Sequence, residues 1–174
     1  MNEELLFKRA RLVLAGEVVK GTLVAAGGRI VAIDTGPTAA RGADIEGDLL
    51  LPGLVGLHTD NFERHAMPRP KVRWPELSAL CNHDVEVAAA GITTVFDALG
   101  VGDSDPEAMR GQSILPVLGA LERAAADDIL RAEHRLHIRC ELPAPNMAEL
   151  FDAVKDNERV GLISLMDHTP GQRQ

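Results

Sequence analysis

Apolar and polar positions alternate from residue 5 to 34 and the pattern turns quickly, with runs at Leu12 to Leu14, Val18 to Ala25 and Arg29 to Asp34. Ala15-Gly16-Glu17 and Gly27-Gly28 separate these runs. Short β-branched runs joined by glycine turns predict antiparallel hairpins. Gly36-Pro37 and Gly42 mark a loop, and Asp44 to Leu51 predicts one more strand leading into Pro52-Gly53. Residues 1–52 therefore read as a small β-sheet domain.

After Pro52 the period changes. Strands are predicted at 54–60, 93–99, 136–142 and 160–166. A long loop follows the first, and helices are expected at 75–90, 114–134 and from Asn146 to about 157, the last opened by an Asn146/Glu149 capping box. Strand and helix alternating four times mean a parallel sheet with right-handed crossovers. His137, Arg139 and Glu141 share one face of the third strand, and Ile138, Cys140 and Leu142 share the other. Open two-sided sheets are apolar on both faces, whereas a barrel interior leads up to a polar site at the strands' carboxyl ends. The predicted fold class is α/β: the N-terminal half of a (β/α)8 TIM-like barrel over 53–174, preceded by a small β-sandwich-type domain. A full barrel takes about 250 residues. The expectation is that these residues are the N-terminal part of a longer protein and are inert by themselves.

Composition narrows the function. A net charge of −8 argues against a nucleic-acid binder that works by neutralising phosphates. Cys81 and Cys140 match no disulfide or zinc-knuckle pattern, and the N-terminus lacks an apolar signal region. The expected setting is the cytoplasm, with no membrane partner; self-association is left open. The strand at 54–60 delivers His58 and Asp60 to its carboxyl end, where imidazole and carboxylate two residues apart point the same way. Such a pair suits a divalent metal such as zinc or manganese; the alternative is a polar strand end facing water.

HTDNFERH, MPRPKVRWPELSAL, GITTVFDAL and LISLMDHTPGQRQ, in that order, resemble the amidohydrolase superfamily. Within it they are most similar to the diphosphatases of the carbon–phosphorus lyase (phosphonate metabolism) pathway. Most amidohydrolases carry H-x-H on the first strand, and Asp60 departs from that in a way typical of this branch. The resemblance implies a metal-dependent hydrolase holding one or two zinc or manganese ions and releasing pyrophosphate from a phosphorylated ribose phosphonate. It also implies that the small sheet is completed by C-terminal strands, and that further ligands and the general base come from later strands. Two rival readings are a cyclic-amide or deacetylating amidohydrolase, and a metal-free scaffold.

On this reading the metal residues are His58, Asp60, Glu141 and His168. For Glu141 the alternative is an ion pair with Arg139, and for His168 an uncommitted loop histidine. Asp167 suits an orienting role or a helix N-cap. The loop after the first strand carries Arg64, His65, Arg69, Lys71 and Arg73 in an otherwise acidic chain. Such a cluster can hold a triphosphate tail or be a solvated loop stiffened by prolines; the resemblance favours Arg69, with Arg64, His65 and Arg139 as further substrate contacts. His83, Asp84 and His134 read as structural, while Asp97 and Asp103 stay open between metal, ribose and neither.

Overall fold

The computed structural model describes residues 4–102 and 114–169; the Asp103 expectation lies outside them. The chain forms two compact units, Met1–Pro52 and Gly53–Gln174.

In the first unit β1 (Glu4–Val13), β2 (Val18–Ala26) and β3 (Arg29–Asp34) form an antiparallel meander, as the glycine turns dictate. The strand expected over 44–51 is instead two short bridges, β4 (Ala43–Asp44) and β5 (Leu49–Leu50), both parallel to β1. Glu46 and Gly47 have φ of +55° and +90°. No extended strand accommodates two successive left-handed residues, so the chain turns there and rejoins β1 further along. The described residues of this unit make one five-stranded sheet; the second layer of a sandwich is not among them.

Gly21 of β2 sits where β3 ends. A Cβ there would lie 2.2 Å from the Asp34 carbonyl oxygen. Gly21→Ala is expected to destabilise by about 1–3 kcal/mol, because one of two paired backbones must move. Urea unfolding measures this, and a loss below about 0.5 kcal/mol, the size of an ordinary surface change, would mean that the β3 end yields freely.

The second unit is a four-stranded parallel sheet in the order β6 (Leu54–Thr59), β7 (Ile92–Val101), β8 (Glu133–Glu141), β9 (Val160–Met166). Its helices are α1 (Asn61–Ala66), α2 (Glu76–Ala89), α3 (Ile114–Ala126) and α4 (Met147–Asp152). The expected loop after the first strand thus begins with a helix, short but anchored by buried Phe62 and Ala66 one turn apart. The helix expected to reach His134 stops at Ala126. Asp128 turns left-handed (φ +53°), and the Ile129 N–H closes onto the Ala124 carbonyl at 3.0 Å. His134 accordingly lies on β8, not at a helix end. The helix from Asn146 is likewise shorter than expected, ending at Asp152.

One face of the sheet is the core. Leu99, Val101, Leu136, Ile138 and Cys140 pack with Ala79 and Leu80 of α2 and with Val117, Leu118, Leu121 and Ala124 of α3. That packing is what the β8 alternation requires, and it leaves His137, Arg139 and Glu141 on the opposite, polar face. Both edge strands keep apolar side chains exposed, Val55 and Leu57 on β6 and Ile163 and Leu165 on β9. No described helix is long and apolar enough to cross a membrane.

Candidate functional site

His58 and Asp60 emerge together at the carboxyl end of β6. His58 Nε2 lies 3.5 Å from Asp60 Oδ2, and both side chains are about half exposed. Two donors on one divalent ion, with bonds of about 2.0–2.2 Å, stand roughly 3.0–3.5 Å apart, so this pair fits a shared ion. Each is also engaged by β8, two strands away. His58 Nδ1 approaches His137 Nδ1 at 3.1 Å, and Arg139 Nη1 donates to Asp60 Oδ1 at 2.8 Å. Neighbouring strands are about 4.8 Å apart, so side chains must reach over β7. They can because Ala98 and Gly100 stand in register with His137 and Arg139, and neither fills the intervening face. Asp60 therefore spends one oxygen on Arg139 and keeps the other beside His58.

Glu141 ends β8 and His168 follows β9. The His168 ring meets Glu141 Oε2, and the His168 backbone N–H donates to Oε1 at 2.5 Å. Burial alone would raise the Glu141 carboxyl, but the ring and backbone hydrogen bonds of His168 and its charge outweigh this and hold it low. The pairing with Arg139 considered for Glu141 does not form, since Arg139 goes to Asp60. Asp167 accepts from the Thr169 backbone at 2.9 Å. His137, which sequence reading placed on the right face without a role, also contacts Ser164 Oγ at 3.0 Å through Nε2. Burial, then repulsion by His58 and Arg139, keeps its imidazole below the ordinary value.

The basic residues after β6 divide. Arg64 donates to Glu86 Oε2 at 2.6 Å and His65 lies 3.3 Å from the same oxygen, so the structure ties both to α2 and does not bring them to Asp60. Arg73 pairs with Glu76. Arg69 closes a tight turn through the Val72 N–H (3.0 Å), with Lys71 left-handed at φ +63°. Its exposed guanidinium has no side-chain partner among the described residues.

No protein-family model matches the chain. Over 171 residues, 98% of its length, it is 44% identical to the alpha-D-ribose 1-methylphosphonate 5-triphosphate diphosphatase of Escherichia coli (strain K12), of which it spans 45%. It superposes on a β-aspartyl dipeptidase from Fervidobacterium islandicum AW-1 with a TM-score of 0.58 and 16% identity, covering 95% of this chain and 44% of that one. For an amidohydrolase from a Sargasso Sea sample the TM-score is 0.55 at 17% identity, covering 88% and 41%. The fold is that of the amidohydrolases. The likeness to the diphosphatase runs through the whole chain and not through the motifs alone, although the chain spans less than half of each of these proteins.

The sheet carries a second polar group on its other face, beneath α2. Asp97 of β7 takes His83 Nε2 on one oxygen and His134 Nδ1 on the other, each at 2.7 Å. His134 Nε2 reaches Asp84 Oδ1 at 3.3 Å, and Asp84 also accepts the backbone N–H groups of Arg131 (3.0 Å) and Ala132 (2.9 Å). All four side chains are at most 2% exposed. Asp97 is thus turned away from His58, not toward a metal or ribose there. Among the described residues, His83, Asp97 and His134 are the group of three donors that gathers within 4.8 Å. The donor types would suit a metal. Their 2.7 Å separations, however, are those of charge-assisted hydrogen bonds, shorter than the roughly 3.3 Å between ligands of a tetrahedral ion.

Burial alone would raise the Asp97 and Asp84 carboxyls. It is outweighed, at Asp97 by hydrogen bonds from His134 and His83, and at Asp84 by those from Ala132, Arg131 and His134, so both are held low. Burial would lower His134, but its bonds and attraction to Asp97 and Asp84 raise it. The signs follow by linkage. Stability from the lowered carboxyls is present above their ordinary value of about 4 and lost as pH falls through their folded values. Stability from His134 is present below about 6.5 and lost as pH rises through its raised value. Urea midpoints across pH should peak between these limits and decline on both sides; a flat profile would sink the assignment of charges.

Proposed function

We propose that the chain is the amino-terminal part of a metal-dependent diphosphatase of the amidohydrolase superfamily, which releases pyrophosphate from alpha-D-ribose 1-methylphosphonate 5-triphosphate in phosphonate degradation. The observation that carries this reading is the 44% identity over 98% of the chain; the fit of His58 and Asp60 to one divalent ion supports it. His58 Nε2 and Asp60 Oδ2 would hold zinc or manganese, and Glu141 with His168 would offer a second position. Such an ion supplies Lewis acidity toward phosphoryl oxygens and lowers the pKa of a water. Arg139 orients Asp60 and offsets its charge, and the pairing of Glu141 with His168 keeps that carboxylate ionised. Arg69, uncommitted and exposed, would take the triphosphate tail through bidentate contacts. Arg64 and His65 would have to leave Glu86 to contribute. In the same reading the sheet of residues 1–52 is part of a sandwich that later strands complete.

The test is a graft in which this chain replaces the matching stretch of the E. coli diphosphatase. Pyrophosphate release from the triphosphate, dependent on added zinc or manganese and absent with cyclic amides, is the expected result. A folded graft that takes up metal yet releases no pyrophosphate would refute the proposal.

A further inference from the structure

Ser164, His137 and His58 line up across the polar face from β9 through β8 to β6. Ser164 Oγ is 3.0 Å from His137 Nε2, and His137 Nδ1 is 3.1 Å from His58 Nδ1, with the two rings edge-on at 75° and 5.1 Å between centroids. Two imidazole nitrogens at that distance share one proton, so one donates and the other accepts. If His137 donated, neutral His58 would carry its proton on Nε2, pointed at Asp60. If His58 donates, its Nε2 keeps a lone pair.

The protein supplies its own standard for deciding. Where imidazole N–H groups donate to a carboxylate, at Asp97, the separations are 2.7 Å; His58 Nε2 and Asp60 Oδ2 stand 3.5 Å apart. That gap is too long for an Nε2–H donated to Asp60, which favours the tautomer with the His58 proton on Nδ1, where His137 can accept it. We propose that His137 is a positioning residue: it accepts from His58 Nδ1, donates through Nε2 to Ser164, and so holds the His58 Nε2 lone pair beside Asp60 Oδ2. The role assigned to it rests on the reading of His58 and Asp60 as ion-binding. Fixing the tautomer through the far ring nitrogen is how imidazole ligands are commonly oriented.

The experiment is nitrogen-15 imidazole NMR on the full chain without metal, followed by zinc and manganese titration, in wild type, His137→Leu and His137→Asn. The asparagine carbonyl can replace Nδ1 as acceptor and guards against a leucine variant that folds poorly. Wild type is expected to show His58 protonated on Nδ1, His137→Leu to move that proton to Nε2, and His137→Asn to restore it. Affinity should fall about 10–100-fold in His137→Leu and recover to within a few-fold in His137→Asn. A wild-type His58 protonated on Nε2, or a tautomer indifferent to His137→Leu, overturns the positioning role even if metal binds. The expected tautomers with no uptake of either metal overturn the ion-binding reading instead, and with it the purpose assigned to His137.

Discussion

Replacing Asp97 with alanine is expected to cost about 3–5 kcal/mol and to lower Tm by roughly 10 °C, the largest stability effect of any change considered. Asp97 is 2% exposed and is the common acceptor for two buried rings. Its removal leaves the His83 Nε2–H without an acceptor and the His134 imidazolium facing only Asp84 at 3.3 Å. Buried unpaired donors are costly. Asp97→Asn should not rescue, since the amide NH2 would face one of two N–H donors. Equilibrium unfolding in urea decides the matter. A loss under about 1 kcal/mol, the scale of one ordinary neutral hydrogen bond, would show that the network is not charged as described.

That network also marks where sequence reading stops. The two-faced character of β8 was legible, because alternation alone separates His137, Arg139 and Glu141 from Leu136, Ile138 and Cys140. The same rule applied to Val95-Asp97-Leu99 puts Asp97 among core residues and away from the strand-end site; that signal was present. Its partners were not legible, since His83, Asp97 and His134 meet only once α2 docks on the sheet. The end of α3 was hidden for a different reason: no glycine or proline occurs in residues 127–132, and a left-handed aspartate does the work instead. The contact of His58 with His137 depends on Ala98 being small on the strand between them, a condition that no spacing within one segment encodes.

Asp60→Ala is expected to behave in the opposite way to Asp97→Ala. Asp60 is half exposed, and its ion pair with Arg139 spans polar surface. Exposed pairs contribute up to about 1 kcal/mol, so unfolding should barely change. The affinity of the chain for zinc or manganese should nevertheless fall by more than about 100-fold. The His58 lone pair loses the anion beside it, and the freed Arg139 guanidinium then faces the same space without that partner. Asp60→Asn should recover little, because a neutral amide neither offsets an ion nor holds Arg139. Titration calorimetry on the two variants, set beside their urea midpoints, measures both quantities. A large loss of stability with intact metal uptake would reverse the roles assigned to the two faces of the sheet. Metal uptake sensitive to Asp97 and indifferent to Asp60 would place the ion beneath α2 and not at the strand ends.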